Sequence, residues 1–284
     1  MLYNAALVLE GGAFRGQYTA GIVDTFLAHH IEFRSVIGVS AGSLNGVNFV
    51  AKQYGRAASI NINYRHDRNY ISMARVFKKQ IINLDYLFED HGYSWRNFDE
   101  QAYKRSSSHF TAVATSLNTG KTVFFTDPTG DELNQALKAS SSMPFLSDSQ
   151  ETSQGLCLDG GIADSIPYDI AQQQGFDKIV VVRTRDAKYR KKPSSRAVKE
   201  LYHRFYKDYP QFAEAGINRP LVYNRQITEL NRLANDGKIF DIVPKKPIKI
   251  KRVEGNVRKI RKLYERGKKE CEEYLPQMIA YLEK

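Results

Sequence analysis

Ser35-Val36-Ile37-Gly38-Val39-Ser40-Ala41-Gly42-Ser43-Leu44-Asn45-Gly46 decides how this chain is read. A short apolar run leads into Gly38-Val39-Ser40-Ala41-Gly42, a G-x-S-x-G pattern, and residues Ala41 to Gln53 can continue as a helix. A buried strand that turns sharply into a helix holds its turn residue in a strained conformation, with the side chain above the sheet edge. Glycines two positions before and two after Ser40 relieve the crowding, because they lack a Cβ. The Ala41 N–H then falls in the first turn of a helix, where developing negative charge is stabilised. Ser40 is therefore a candidate nucleophile. The same five residues also suit an ordinary Gly/Ser turn, and the flanking sequence has to separate the two readings.

Upstream, Ala5-Ala6-Leu7-Val8-Leu9 reads as a first buried parallel strand. Glu10-Gly11-Gly12-Ala13-Phe14-Arg15-Gly16 follows, and Tyr18 to Leu27 can form a helix. A glycine-rich loop between strand and helix can cradle a phosphate or present successive backbone N–H groups to an oxyanion. The phosphate fingerprints are absent: there is no G-x-x-x-x-G-K-[ST], and Ala13 stands where G-x-G-x-x-G needs its second glycine. In a parallel sheet this loop and the Ser40 turn would open at the same carboxyl edge, which favours the oxyanion reading.

Downstream, residues 56–105 show no period-2 pattern and read as irregular helices and loops capping the site. Phe77, Ile81, Ile82, Leu84, Leu87 and Phe88 supply an apolar face, and His66 and His91 read as surface residues. His109–Thr115 and Thr122–Thr126 form strand-like runs joined by the turn signal Asn118-Thr119-Gly120. Glu132 to Ala139 reads as a helix, with Ser140-Ser141-Ser142 terminating it. Gly155–Leu158 is a strand delivering Asp159-Gly160-Gly161, Pro167 opens a helix through Gln174, and Asp177–Val182 is a last buried strand. Asp159 is either a turn aspartate, favoured before Gly-Gly, or a general base whose pKa a partly dry site would raise.

A chain of 284 residues allows one large α/β domain, or such a domain with a helical extension. Two cysteines, Cys157 and Cys271, make no disulfide framework and lack metal-ligand spacing, which points to a reducing compartment. The first residues carry no basic segment followed by an apolar one, and no apolar run reaches transmembrane length. A cytoplasmic protein is expected, at most peripheral at the inner membrane face. Residues 1–182 hold 15 Lys+Arg against 18 Asp+Glu, and residues 183–284 hold 27 against 13, so the net +11 resides in the C-terminal third. Such asymmetry suits an anionic membrane surface or nucleic acid, or a solvated helical surface. That third reads as helices at Val198–Tyr206, Arg225–Ala234 and Val257–Tyr264, with Pro244 to Arg252 alternating like a lysine-guarded edge strand.

Gly11-Gly12-Ala13-Phe14-Arg15-Gly16, Gly38-Val39-Ser40-Ala41-Gly42 and Asp159-Gly160-Gly161, in this order, together resemble the patatin-like phospholipases, as does Ala136 to Pro144. The resemblance spans roughly residues 5–185 and implies a three-layer α/β/α fold with a mainly parallel central sheet. It implies a lipid acyl hydrolase in which Ser40 attacks an ester carbonyl and Asp159 takes its proton. Backbone N–H groups of Gly11, Gly12, Ala13 and Ala41 would bind the oxyanion, with Arg15 and Gly16 anchoring that loop. The family carries glycine where Ala13 stands; a positive φ there would strain alanine by ~1 kcal/mol.

A dyad also suits what the chain lacks. An α/β-hydrolase triad needs a histidine after its acid, and the sole histidine beyond Asp159 is His203, in basic helical sequence. No metal or cofactor is implied. The expected organisation is a catalytic domain over 5–185 with a basic, mainly helical region over 186–284 packed on it. The competing reading is a nucleic-acid-binding protein using the basic C-terminal third, against which stands the absence of a recognised binding motif. A nucleotide-binding protein using the Gly11–Gly16 loop is disfavoured by the missing fingerprint.

Overall fold

The computed structural model describes residues 1–72, 81–88 and 96–284; Phe77 and His91 lie outside them. Strand β1 (Leu2–Leu9) is buried on both faces from Ala5 onward. Its side chains alternate between two cores, as a period of two requires. Ala5, Leu7 and Leu9 enter one core, with residues of helices α1 (Gly16–Ala28), α2 (Ala41–Val50), α5 (Gly130–Ser141) and α9 (Val257–Leu282). Ala6 and Val8 enter the other, against α6 (Tyr168–Gln173) and α8 (Pro210–Asn235). Two helical layers thus sandwich one sheet.

In sheet order, β1 is flanked by β2 (Glu32–Val39) and β7 (Ile179–Val182), β2 by β3 (His109–Ser116), and β7 by β8 (Phe240–Ile242), all parallel. Strands β4 (Thr122–Thr126) and β6 (Gly155–Asp159) are antiparallel to β3, and β5 (Gln150–Thr152) is antiparallel to β6. The α/β/α architecture and mainly parallel sheet agree with the sequence reading. The C-terminal region supplies β8 to the sheet and α9 to one covering layer. Among the described residues, no helix is long and apolar enough to cross a membrane. Cys157 and Cys271 are buried and free.

Three local readings are corrected. Pro244–Arg252 forms no strand; pairing stops at Ile242, just before a stretch with two prolines and four lysines. The helix expected at Arg225–Ala234 begins at Pro210, a proline at its first turn where no N–H is needed. The one expected at Val257–Tyr264 continues to Leu282. Between β2 and β3, α3 (Arg56–Asn63), a 3-10 turn at Asp85–Leu87 and α4 (Glu100–Lys104) form the cap. Ile81 and Leu87 are buried there with Ile60, Tyr70 and Ile260, and His66 is exposed.

Helix α9 is locked to α1 where two glycines meet. A Cβ on Gly267 would stand 2.3 Å from Tyr18 O and one on Gly21 2.3 Å from Tyr264 O. Tyr18 Oη donates to Glu270 Oε2 and Tyr264 Oη to Asp24 Oδ2, each at 2.9 Å. Backbone cannot yield as a side-chain tip can, so Gly267→Ala is expected to cost about 2–3 kcal/mol by overpacking. Thermal melting would read this as a fall of roughly 5 °C or more.

Candidate active site

Strand β3 brings the two candidate groups together. Its residue Val113 pairs with Val39, the last residue of β2, and its next residue Ala114 pairs with Asp159, the last residue of β6. Since β4 occupies the other edge of β3 over these positions, β2 and β6 share one edge and run head-on toward each other. Side chains 119 positions apart thereby meet: Ser40 Oγ donates to Asp159 Oδ2 at 2.8 Å, and both residues are buried.

Ser40 adopts φ 55°, ψ −122° at the head of α2, a region that costs an L-residue about 1–3 kcal/mol and occurs where the surroundings enforce it. The enforcement is visible. A Cβ at Gly38 would stand 2.6 Å from Ser43 Cα, and one at Gly42 2.2 Å from Leu9 O. Burial raises the Asp159 carboxyl above the ordinary carboxylate range. Arg219, the Ser40 hydroxyl, the Gly161 N–H and Arg252 pull in the opposite direction. Asp159 Oδ1 accepts from Gly161 N at 2.8 Å. A Cβ at Gly161 would meet Asp159 Oδ1 at 3.0 Å and Arg219 Nη2 at 3.1 Å, so this glycine leaves room for both groups.

Four residues that the sequence reading left without a site role support the pair. Ser140 Oγ accepts from Ser40 N at 2.9 Å and donates to Val113 O at 2.6 Å. Asp159 N donates to Ser142 O at 2.8 Å, so the serine turn holds the backbone of both Ser40 and Asp159 while Ser142 Oγ also closes α5 on Lys138 O. Thr115 Oγ1 donates to Asp159 O at 2.9 Å. Asn45 Nδ2 donates to Gly16 O at 3.0 Å and Ala41 O at 2.7 Å, tying the glycine loop to the elbow. Ser140→Ala would leave the buried Ser40 N–H and Val113 carbonyl unpaired. It is expected to cost about 1–3 kcal/mol of stability and to lower kcat; denaturant unfolding and ester turnover would measure both.

The glycine loop departs from expectation in two respects. Gly11 N donates to Ser165 O at 3.4 Å, whereas the N–H groups of Gly12, Ala13 and Ala41 donate to no acceptor among the described residues. Ala13 sits at φ 47°, the left-handed region, and so carries the ~1 kcal/mol strain. Arg15 ties the loop through its backbone, its N–H donating to Gly12 O at 3.0 Å, while its buried side-chain Nε has no hydrogen-bond partner and the residue lines a cleft. Asn45, acting on Gly16, is a further tether. His203 lies away from the pair, its Nε2 3.1 Å from Glu214 Oε1 on an exposed face. No group of three or more His, Cys, Asp or Glu side chains able to hold a metal ion occurs among the described residues.

Two cavities meet at Ser40. One is predominantly apolar, lined by Leu44, Ile60, Ile82, Leu87, Phe88 and Met143. The other holds Asp159 and a set of cations.

An elbow serine bonded to an aspartate beside a glycine loop, on a three-layer α/β/α frame, defines a class. A family model described as patatin-like phospholipase matches residues 7–171, and the chain belongs to that family. A second model, described as a domain of unknown function (DUF6363), matches residues 209–283. The chain is similar to the uncharacterized protein YjjU of Escherichia coli (strain K12), with 32% identity over 185 residues, covering 63% of this chain and 51% of that protein. It thus spans about half the length of that curated relative. The crystal structure of VipD from Legionella pneumophila aligns with a TM-score of 0.41 and 11% identity, over 72% of this chain and 54% of that one.

Proposed function

We propose that this protein is a serine hydrolase that cleaves carboxylic ester bonds of lipids through a Ser40–Asp159 dyad and an acyl-enzyme. The observation that carries it is the 2.8 Å hydrogen bond from Ser40 Oγ to Asp159 Oδ2 at the mouth of an apolar cavity. Asp159 accepts the Ser40 proton as the oxygen attacks the ester carbonyl, and the oxyanion is held by N–H groups of Gly12, Ala13 and Ala41 at the start of α2. Collapse expels the alcohol, which takes the proton from Asp159; water then attacks the acyl-enzyme by the same relay. An acyl chain fits the apolar cavity beside Leu44, Ile60 and Phe88. Esters of increasing acyl length are expected to be cleaved with rising kcat/KM. Absence of turnover on every ester would overturn the reading.

The basic region offers a way to approach lipid. Helix α7 (Arg196–Phe205) exposes Val198, Leu201 and Phe205 on one face, with Arg196, Lys199 and Arg204 nearby and Val198 and Leu201 at the rim of the cationic cleft. Such a face suits the interface of an anionic bilayer. Phe205→Ser is expected to reduce sedimentation with vesicles rich in phosphatidylglycerol severalfold, and unchanged sedimentation would remove α7 from the contact.

A further inference from the structure

The cleft that holds Asp159 is far more cationic than an acyl ester requires. Arg15, Arg185, Lys191, Lys192, Arg219 and Arg252 line it against two carboxylates, Glu10 and Asp159. Glu10 is already occupied, accepting from Thr184 N at 2.6 Å and Tyr223 Oη at 3.0 Å. No ion pair among the described residues involves any of the six cations. Arg185 stacks on Tyr189, and Lys191 on Tyr223 with its Nζ 3.4 Å from Ser165 Oγ.

The Nε atoms of Arg15 and Arg219 are buried without a hydrogen-bond partner, although buried donors are ordinarily satisfied. Burial and, next, Arg219 push the Lys191 ammonium well below its usual value, with Arg15 and Arg252 adding to the shift and Glu10 opposing it, as expected where like charges outnumber their counter-charges. An anion entering this cleft would answer the unpaired donors and the repulsion at once.

The position of these cations in the chain is informative. Five of the six follow residue 171, where the patatin match ends, and Arg219 and Arg252 fall within the segment matched by the unknown-function model. Arg219 Nη2 and Asp159 Oδ1 both lie close to the free face of Gly161, so the cationic cluster abuts the dyad.

We propose that the C-terminal region completes, next to Ser40, a subsite for a phosphomonoester dianion carried by the substrate, held chiefly by Arg219, Arg252 and Lys191 with Arg15 contributed by the glycine loop. Guanidinium forks suit a group with several anionic oxygens, and a dianion matches the excess of positive charge better than a zwitterionic or neutral head. The inference rests on the ester-hydrolase reading and adds its headgroup selectivity. The region beyond the patatin match is on this view a specificity element.

The test compares three esters of one acyl chain: acylglycerol 3-phosphate, acylglycerophosphocholine and neutral monoacylglycerol. In the wild type, kcat/KM for the phosphomonoester is expected to exceed that for monoacylglycerol by about tenfold or more, and Arg219→Gln with Arg252→Gln to collapse the ratio by a similar factor, chiefly through KM. The wild-type ratio needs no variant to fold, and melting curves check those that are made. A ratio near one while monoacylglycerol is still cleaved overturns the subsite and leaves the hydrolase standing; no ester cleaved at all overturns the hydrolase. Inorganic phosphate that raises the melting temperature, with no headgroup preference in turnover, would assign the cations to a free anion and also overturn the substrate subsite.

Discussion

Ser40→Ala is expected to abolish labelling by a fluorophosphonate probe and to lower ester turnover by about 10⁴-fold or more, the scale on which nucleophile removal acts in serine hydrolases. The hydroxyl has no other role that would explain such a loss. Among the described residues its one side-chain hydrogen bond runs to Asp159 Oδ2, and the Ser40 backbone N–H is held separately by Ser140 Oγ. Alanine keeps that backbone bond and suffers the same φ of 55°, so the elbow should persist. Asp159 loses one donor but retains the Gly161 N–H. A variant that melts near the wild-type temperature yet is inert therefore isolates chemistry from folding. Labelling that survives at full strength would place the reactive serine elsewhere.

What the sequence made legible is what is encoded locally. Strand β1, the elbow and the hairpin from β3 to β4 are each specified by apolar runs and turn glycines close together in the chain, and they stand where the pattern put them, β1 starting three residues earlier, at Leu2. The dyad contact is not local. It depends on β2 and β6 abutting along one edge of β3, and no periodicity within either strand announces that; only the ordered motifs of a known family did. Ser140 illustrates the limit. Its place after a helical run makes it look like a helix terminator, and its hydroxyl instead bridges Ser40 N and Val113 O. Asn45 and Thr115 escaped for the same reason, since a side chain serving a distant backbone leaves no mark in its own neighbourhood.

Arg15 was legible as part of the glycine loop, but the cleft it shares with Arg219 of α8 was not. The basic excess of the C-terminal third was plain as a charge count. Its arrangement was not, because a count cannot distinguish cations spread over solvated helices from six gathered in one cleft beside a serine. The Gly21–Gly267 crossing is a similar case, a close approach between helices at opposite ends of the chain.

Asp159→Asn tests the base, and its outcome separates proton transfer from shape. The amide is nearly isosteric and can still meet the Ser40 hydroxyl, yet it cannot take a proton at neutral pH. Turnover is expected to fall by about 10³–10⁴-fold with little change in KM, in the range seen when a catalytic carboxylate is neutralised. The pH profile supplies a second, independent reading. Burial raises the Asp159 carboxyl, while Arg219 stabilises its ionised form. The base works only when ionised, so activity should rise with pH through an acid limb set by this one group and be lost as pH falls below it. Arg219→Gln removes a stabilising charge and should move that limb to higher pH, whereas a merely structural Arg219 would lower activity without moving it. A basic residue of the surface would do neither. An Asp159→Asn protein that keeps wild-type turnover, or a limb indifferent to Arg219, would mean that the proton leaves Ser40 by another route.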